Sequence, residues 1–156
     1  MIFEAPTEWI SPESFPDLKD HKYIAIDLET RDPGLKARGS GALIGDGEIV
    51  GVAVAVEGWS GYYSFGHKEG NFFDEAVVMR WVKEICALPN VKLFHNAMYD
   101  VCWLRAYGVQ INCHIVDTMV MASLVDENRF HYSLNSLSID YLGQVKDETA
   151  LRAAAD

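Results

Sequence analysis

The apolar residues of this chain change their period once, and that change fixes the order of its elements. In "KYIAIDL" (residues 22–28) they alternate with a period of two and are branched, as in a strand. "IVGVAVAV" (49–56) reads as a second strand and "GYYSF" (61–65) as a third, joined by the turn "EGWSG". From Asp74 onward the spacing becomes helical. "DEAVVMRWVKEICAL" (74–88) brings Val77, Trp81, Ile85 and Leu88 to one side, has Asp74 and Glu75 in its first turn, and is stopped by Pro89 and Asn90.

After that helix the pattern alternates. "VKLF" (91–94) is a short strand. "AMYDVCWLRAYG" (97–108) is a helix, with Asn96 placed to cap it and Gly108 past its end. "CHIV" (113–116) is a fifth strand, and "TMVMASLV" (118–125) a helix that Asp117 can cap. "LNSLSIDYL" (134–142) is a further helix ending at Gly143. An antiparallel three-strand meander followed by strand–helix units gives an α/β domain, a mixed five-stranded sheet with flanking helices. That is the outline of the ribonuclease-H-like fold. Pro6, Pro12 and Pro16 mark residues 1–20 as an extended lead-in, so the domain itself is expected over 21–156. "RDPGLKARGSGALIGDGE" (31–48) reads as a loop, and the tail "DETALRAAAD" as helix-prone.

Composition narrows the functional classes. The chain is 49% hydrophobic, enough for one core. No apolar run is long enough to span a bilayer, and the first residues lack the basic start and apolar block of a signal peptide, so a cytoplasmic setting is expected. Cys86, Cys102 and Cys113 are widely spaced and form no C-x-x-C pair, which argues against a zinc knuckle or a disulfide framework. Thirteen basic against 23 acidic residues give a net charge of −10. Such a surface does not grip a nucleic-acid backbone by itself, although metal ions can mediate the contact.

Two acidic clusters stand out. On the first strand Asp27 and Glu29 share a face with Tyr23 and Ala25, while Ile24, Ile26 and Leu28 take the other. Two carboxylates on one face repel unless a cation, a proton or an arginine joins them, and hard divalent cations prefer oxygen ligands. The alternative is a strand that stops at Asp27 and leaves both acids in an exposed loop. The second cluster is "HNAMYD" (95–100), which follows a strand and opens a helix. Asn96 and Asp100, four apart, would project together at the C-terminal end of that strand, where open α/β sheets bind ligands. Equally, Asn96 can cap the helix and Asp100 complement its dipole.

The joint pattern, D-x-E on the first strand and N-x-x-Y-D after a later one, resembles the first two motifs of the 3′–5′ exonucleases with four catalytic acids, the DEDD superfamily. Residues 116–143, "VDTMVMASLVDENRFHYSLNSLSIDYLG", are similar to the helical region after the second motif in proofreading domains of family A DNA polymerases. "YYSFGHKEGNF" resembles a loop of phage-type members. The resemblance covers about residues 22–143. It implies hydrolysis of the 3′-terminal phosphodiester of single-stranded DNA, releasing nucleoside monophosphates, beside a polymerase domain in the full-length protein. It further implies two divalent metal ions, Mg²⁺ or Mn²⁺, with Asp27 bridging them, Glu29 on the nucleophile-side metal and Asp100 on the other. Leu28 and Thr30 would contact the terminal nucleotide, and Asn96 would orient it. An RNA-trimming member of the superfamily and a non-catalytic nucleotide- or partner-binding module of the same fold are the rival readings.

In one respect the sequence departs from that family. The third motif supplies a fourth acid four residues after a Tyr or five after a His. Tyr107, Tyr132 and Tyr141 are followed at that place by Ile111, Ser136 and Val145, and His114 and His131 by Met119 and Ser136. The expectation is a domain cut short at its C-terminus, with weak activity or none and a single ion bound rather than two.

Overall fold

The computed structural model describes residues 11–144. The tail expected to be helix-prone lies outside the described residues, as does Val145, used above in the motif search. A five-stranded sheet runs in the order β3-β2-β1-β4-β5. Its strands are β1 Tyr23–Arg31, β2 Glu48–Val56, β3 Trp59–Ser64, β4 Val91–Phe94 and β5 Ile115–Asp117. The first three form the expected antiparallel meander, and β4 and β5 run parallel to β1. The mixed sheet with flanking helices is therefore the expected one.

The helices are α1 Leu35–Arg38, α2 Glu75–Ala87, α3 Ala97–Ala106, α4 Thr118–Val125 and α5 Leu134–Leu142. Within the segment expected to be a plain loop, α1 and a 3₁₀ turn at Gly41–Leu43 have formed. Short-range backbone bonds suffice for such turns, and these leave little hydrophobic periodicity.

One face of the sheet is the core. Ile24, Ile26 and Leu28 join Val52, Val54 and Tyr63 in a buried cluster with Val78, Trp81, Val82 and Ile85 of α2 and Trp103 and Leu104 of α3. The buried face of α2 keeps Trp81 and Ile85 of the expected stripe but takes Val78 and Val82 in place of Val77. Val77 is 42% exposed, whereas Val78, Val82 and Cys86 are fully buried. Asp74 caps this helix through Val77 N–H at 3.1 Å. Part of the lead-in is packed rather than loose. Phe15 stacks on Tyr63 with ring centroids 4.9 Å apart, Trp81 Nε1 donates to the Pro16 carbonyl at 3.2 Å, and Leu18 is buried. Lys92 of β4 is also fully buried, its ammonium donating to the carbonyls of Leu88 (3.0 Å) and Asn90 (2.8 Å).

Candidate active site

β1 carries the first cluster as the alternation required. Ile24, Ile26 and Leu28 are buried, and Asp27 and Glu29 are exposed on the opposite face. The strand continues to Arg31, so neither acid lies in a loop. Its pairing with β4 ends at Ala25 opposite Leu93. β4 ends one residue later, at Phe94, and α3 follows it from Ala97, while β1 runs on. Main-chain groups of β1 that no strand reaches there need other partners. The Leu28 N–H finds one in Asp100 Oδ1, at 3.1 Å across 72 residues of sequence. That bond fixes the second cluster against the first.

Asp100 is only 4% exposed. Burial, and after it the negative charge of Asp27, pushes its pKa from 3.8 up to about 7, against the opposing pull of the Leu28 N–H. A carboxyl that feels Asp27 this way shares a site with it.

Asn96 behaves differently from the expectation. It occupies the residue before α3, but in the left-handed region (φ 67°, ψ 54°), and its side chain makes no capping bond. Not being helical, it does not stand over Asp100 at the four-residue spacing. The side chain of Asn96 is exposed while that of Asp100 is buried. The capping is done by Asp117, whose carboxylate accepts from Asn96 N–H (3.1 Å) and Ala97 N–H (2.8 Å) and also caps α4 through Met119 and Val120. Burial works to raise the pKa of Asp117, but the four N–H groups outweigh it and hold the carboxyl below the usual range. Asp117 thus locks the starts of two helices, the capping role its position suggested extended to a second helix.

Leu28 turns its side chain into the core, away from Asp27 and Glu29, and the peptide N–H it offers toward the site is taken by Asp100. Thr30 is half-buried. Its hydroxyl lies 2.6 Å from Tyr99 Oη, which donates to Asp32 Oδ2 at 3.2 Å. Asp32 Oδ2 also accepts from Gly41 N–H at 3.0 Å. Tyr99 of the N-x-x-Y-D pattern therefore ties α3 to the end of β1 and to the 32–46 segment. Sequence reasoning gave it no role, although its place in the motif was the available signal.

Beside Asp27 lies an open cavity of about 560 Å³, lined among others by Ala53, Ala55, Tyr62, His95 and Thr118. His95 Nδ1 is 2.9 Å from Thr118 Oγ1, and its Nε2 is buried without a partner.

Among the described residues no three His, Cys, Asp or Glu side chains converge into a ready-made metal cage. The donor chemistry nonetheless fits a hard divalent cation, with oxygen ligands alone and, in Asp100, a carboxyl whose pKa burial and the charge of Asp27 push up to about 7.

The sequence matches the model of a 3′–5′ exonuclease family over residues 7–156. It is 29% identical over 156 residues to a DNA-directed DNA polymerase of Pseudomonas phage M6, covering 96% of this chain and 24% of that protein, so the chain spans about a quarter of its relative's length. In fold it is similar to Brucella melitensis NrnC with bound Mg²⁺ (TM-score 0.60, 14% identity, 86% of this chain and 61% of that one). It is also similar to Escherichia coli RNase D, an exoribonuclease involved in structured RNA processing (TM-score 0.59, 15% identity, 86% and 32%). With two carboxylates on one face of β1, Asp100 of α3 accepting from the Leu28 N–H of that strand, and a family match along nearly the whole sequence, the chain belongs to the 3′–5′ exonuclease family.

Proposed function

We propose that this domain removes nucleoside monophosphates from the 3′ end of single-stranded DNA, with Asp27, Glu29 and Asp100 holding divalent cations, Mg²⁺ or Mn²⁺. The observation that carries this reading is the convergence of Asp27 and buried Asp100 where β1 leaves β4. Bound ions would supply neutralisation of the phosphate charge and acidification of a water. The protein's own part is preorganisation. The Leu28 N–H holds Asp100 in place, Asp117 fixes the start of α3, and Tyr99 fixes Thr30 at the end of β1. On the same reading Thr30, next to Glu29 on β1, Asn96, just before α3, and Leu28 would contact the terminal nucleotide, Thr30 by exchanging its bond to Tyr99 for one to substrate.

The phage polymerase relative supports DNA as the substrate and a polymerase domain as the working partner, and the Mg²⁺ in the Brucella structure supports the choice of ion. Residues 21–156 are taken as the nuclease unit and 1–20 as its lead-in. No helix among the described residues is long and apolar enough to cross a membrane.

The test uses single-stranded DNA labelled at its 5′ end, with Mn²⁺ in excess. A ladder of products shortened stepwise from the 3′ end, lost in Asp27→Ala, is expected. A ladder that survives Asp27→Ala would overturn the assignment of the site. Faster cutting of the matching RNA would replace DNA by RNA as substrate. Cation binding without any cutting would favour a non-catalytic module.

A further inference from the structure

Tyr62 of β3 stands in the cross-strand row of Asp27, since Asp27 pairs with Ala53 and Ala53 with Tyr62. Its hydroxyl is displaced from that row and lies over Gly51, where any Cβ would overlap Tyr62 Oη. Gly51 is the partner of Glu29. The ring therefore carries its hydroxyl from the row of Asp27 into the row of Glu29. Paired residues on neighbouring antiparallel strands sit about 4.5–5.5 Å apart, a gap that a glutamate side chain spans. Burial first, then the charges of Glu29 and Asp27, keep the phenol protonated and so a donor.

A further neighbour of this hydroxyl is His67 Nε2. The loop bearing His67 is pinned on both sides. Its N–H donates to Asn71 Oδ1 at 2.8 Å, and its carbonyl accepts from Asn71 Nδ2 at 2.6 Å. Just before it, Gly66 N–H donates to the Val50 carbonyl (2.9 Å) and the Gly66 carbonyl accepts from Arg31 (2.6 Å). Gly66 also presses so close to Val50 that a Cβ would lie 2.9 Å from its Cα.

We infer that Tyr62, braced by His67, is a positioning residue for Glu29, its hydroxyl donating to the Glu29 carboxylate and holding it turned toward Asp27. The inference rests on the reading of Asp27 and Glu29 as cation ligands. With His67 as the Nε2–H tautomer, the phenol accepts from the imidazole and donates to Glu29, so both polar ends are used. Partners of this kind behind a metal ligand typically change metal affinity 10–100-fold when removed.

Mn²⁺ affinity, read from the electron paramagnetic resonance of the free ion, tests it. Tyr62→Phe is expected to weaken Mn²⁺ binding about tenfold or more, and to have no further effect in a Glu29→Gln background. His67→Ala should give a smaller loss of the same kind. Unchanged affinity in Tyr62→Phe, or an equal loss whether residue 29 is Glu or Gln, would overturn the inference. The second measurement needs no metal. The ¹³C resonance of the Glu29 side-chain carboxylate should move in metal-free Tyr62→Phe, and an unmoved resonance would contradict the contact. Should the unaltered protein bind no Mn²⁺, the cation reading fails, and the resonance alone decides whether Tyr62 holds Glu29.

Discussion

Asp100 carries the electrostatic strain of the site. Its carboxyl titrates near 7 in the folded chain and near 3.8 when unfolded, so the folded state keeps a proton that the unfolded state has already lost between those values. Stability then falls as pH rises from about 4 to about 7. Asp100→Asn keeps an oxygen for the Leu28 N–H and removes the charge. It should stabilise the metal-free protein by ~1–3 kcal/mol at pH 7, and the difference should shrink toward pH 4. Urea unfolding at several pH values reads both. Destabilisation at pH 7 would mean that Asp27 and Asp100 do not share a site. Asp117→Ala removes caps from two helices at once and should cost ~2 kcal/mol, about twice a single cap. At this scale the sequence was legible where a side chain's role follows from alternation, as for Asp27 and Glu29. It was silent where the role depends on a contact 72 residues away, as for Leu28 and Asp100, or on a left-handed residue such as Asn96. Only the fold shows that Asn96 leaves its capping task to Asp117.

Elements were more legible than residues. Periodicity located all five strands and four of the five helices among the described residues; the strands, α2 and α3 bury one face or edge against a common core, while α4 and α5 bury Ala122 and Leu137 outside it. On α2 the expected stripe holds at Trp81 and Ile85 and fails at Val77, since Val77 and Val78 are adjacent and equally apolar, and only the packing partners distinguish them. A matched pair of substitutions checks this. Val78→Ala should destabilise by ~1–2 kcal/mol and Val77→Ala by less than ~0.5, as expected for a filled and a half-empty site. Thermal unfolding of the two variants side by side suffices, and a larger loss at Val77 would reverse the reading. The segment 31–48 was taken for a loop because its order comes from Asp32, Arg38 and Asp46 contacts with their own surroundings, which carry no period.

For the whole molecule, charge and function pull in opposite directions. A net charge of −10 opposes the approach of a polyanion, so binding of single-stranded DNA without divalent ions should be weaker than ~10⁻⁴ M at physiological salt. Fluorescence anisotropy of a labelled oligonucleotide tests that, with added Mn²⁺ expected to raise the affinity. The central claim is that Asp27, Glu29 and Asp100, from two separate elements, form one cation site. The most direct measurement is the melting temperature of the metal-free protein titrated with Mn²⁺. Binding to the folded state alone stabilises by ~2.7 kcal/mol at a hundred times the dissociation constant, a shift of several degrees for a domain of this size. The melting temperature should rise with Mn²⁺ in the unaltered chain, rise less in Asp100→Asn and stay flat in Asp27→Ala. An undiminished rise in Asp27→Ala would place the ion elsewhere and contradict the account.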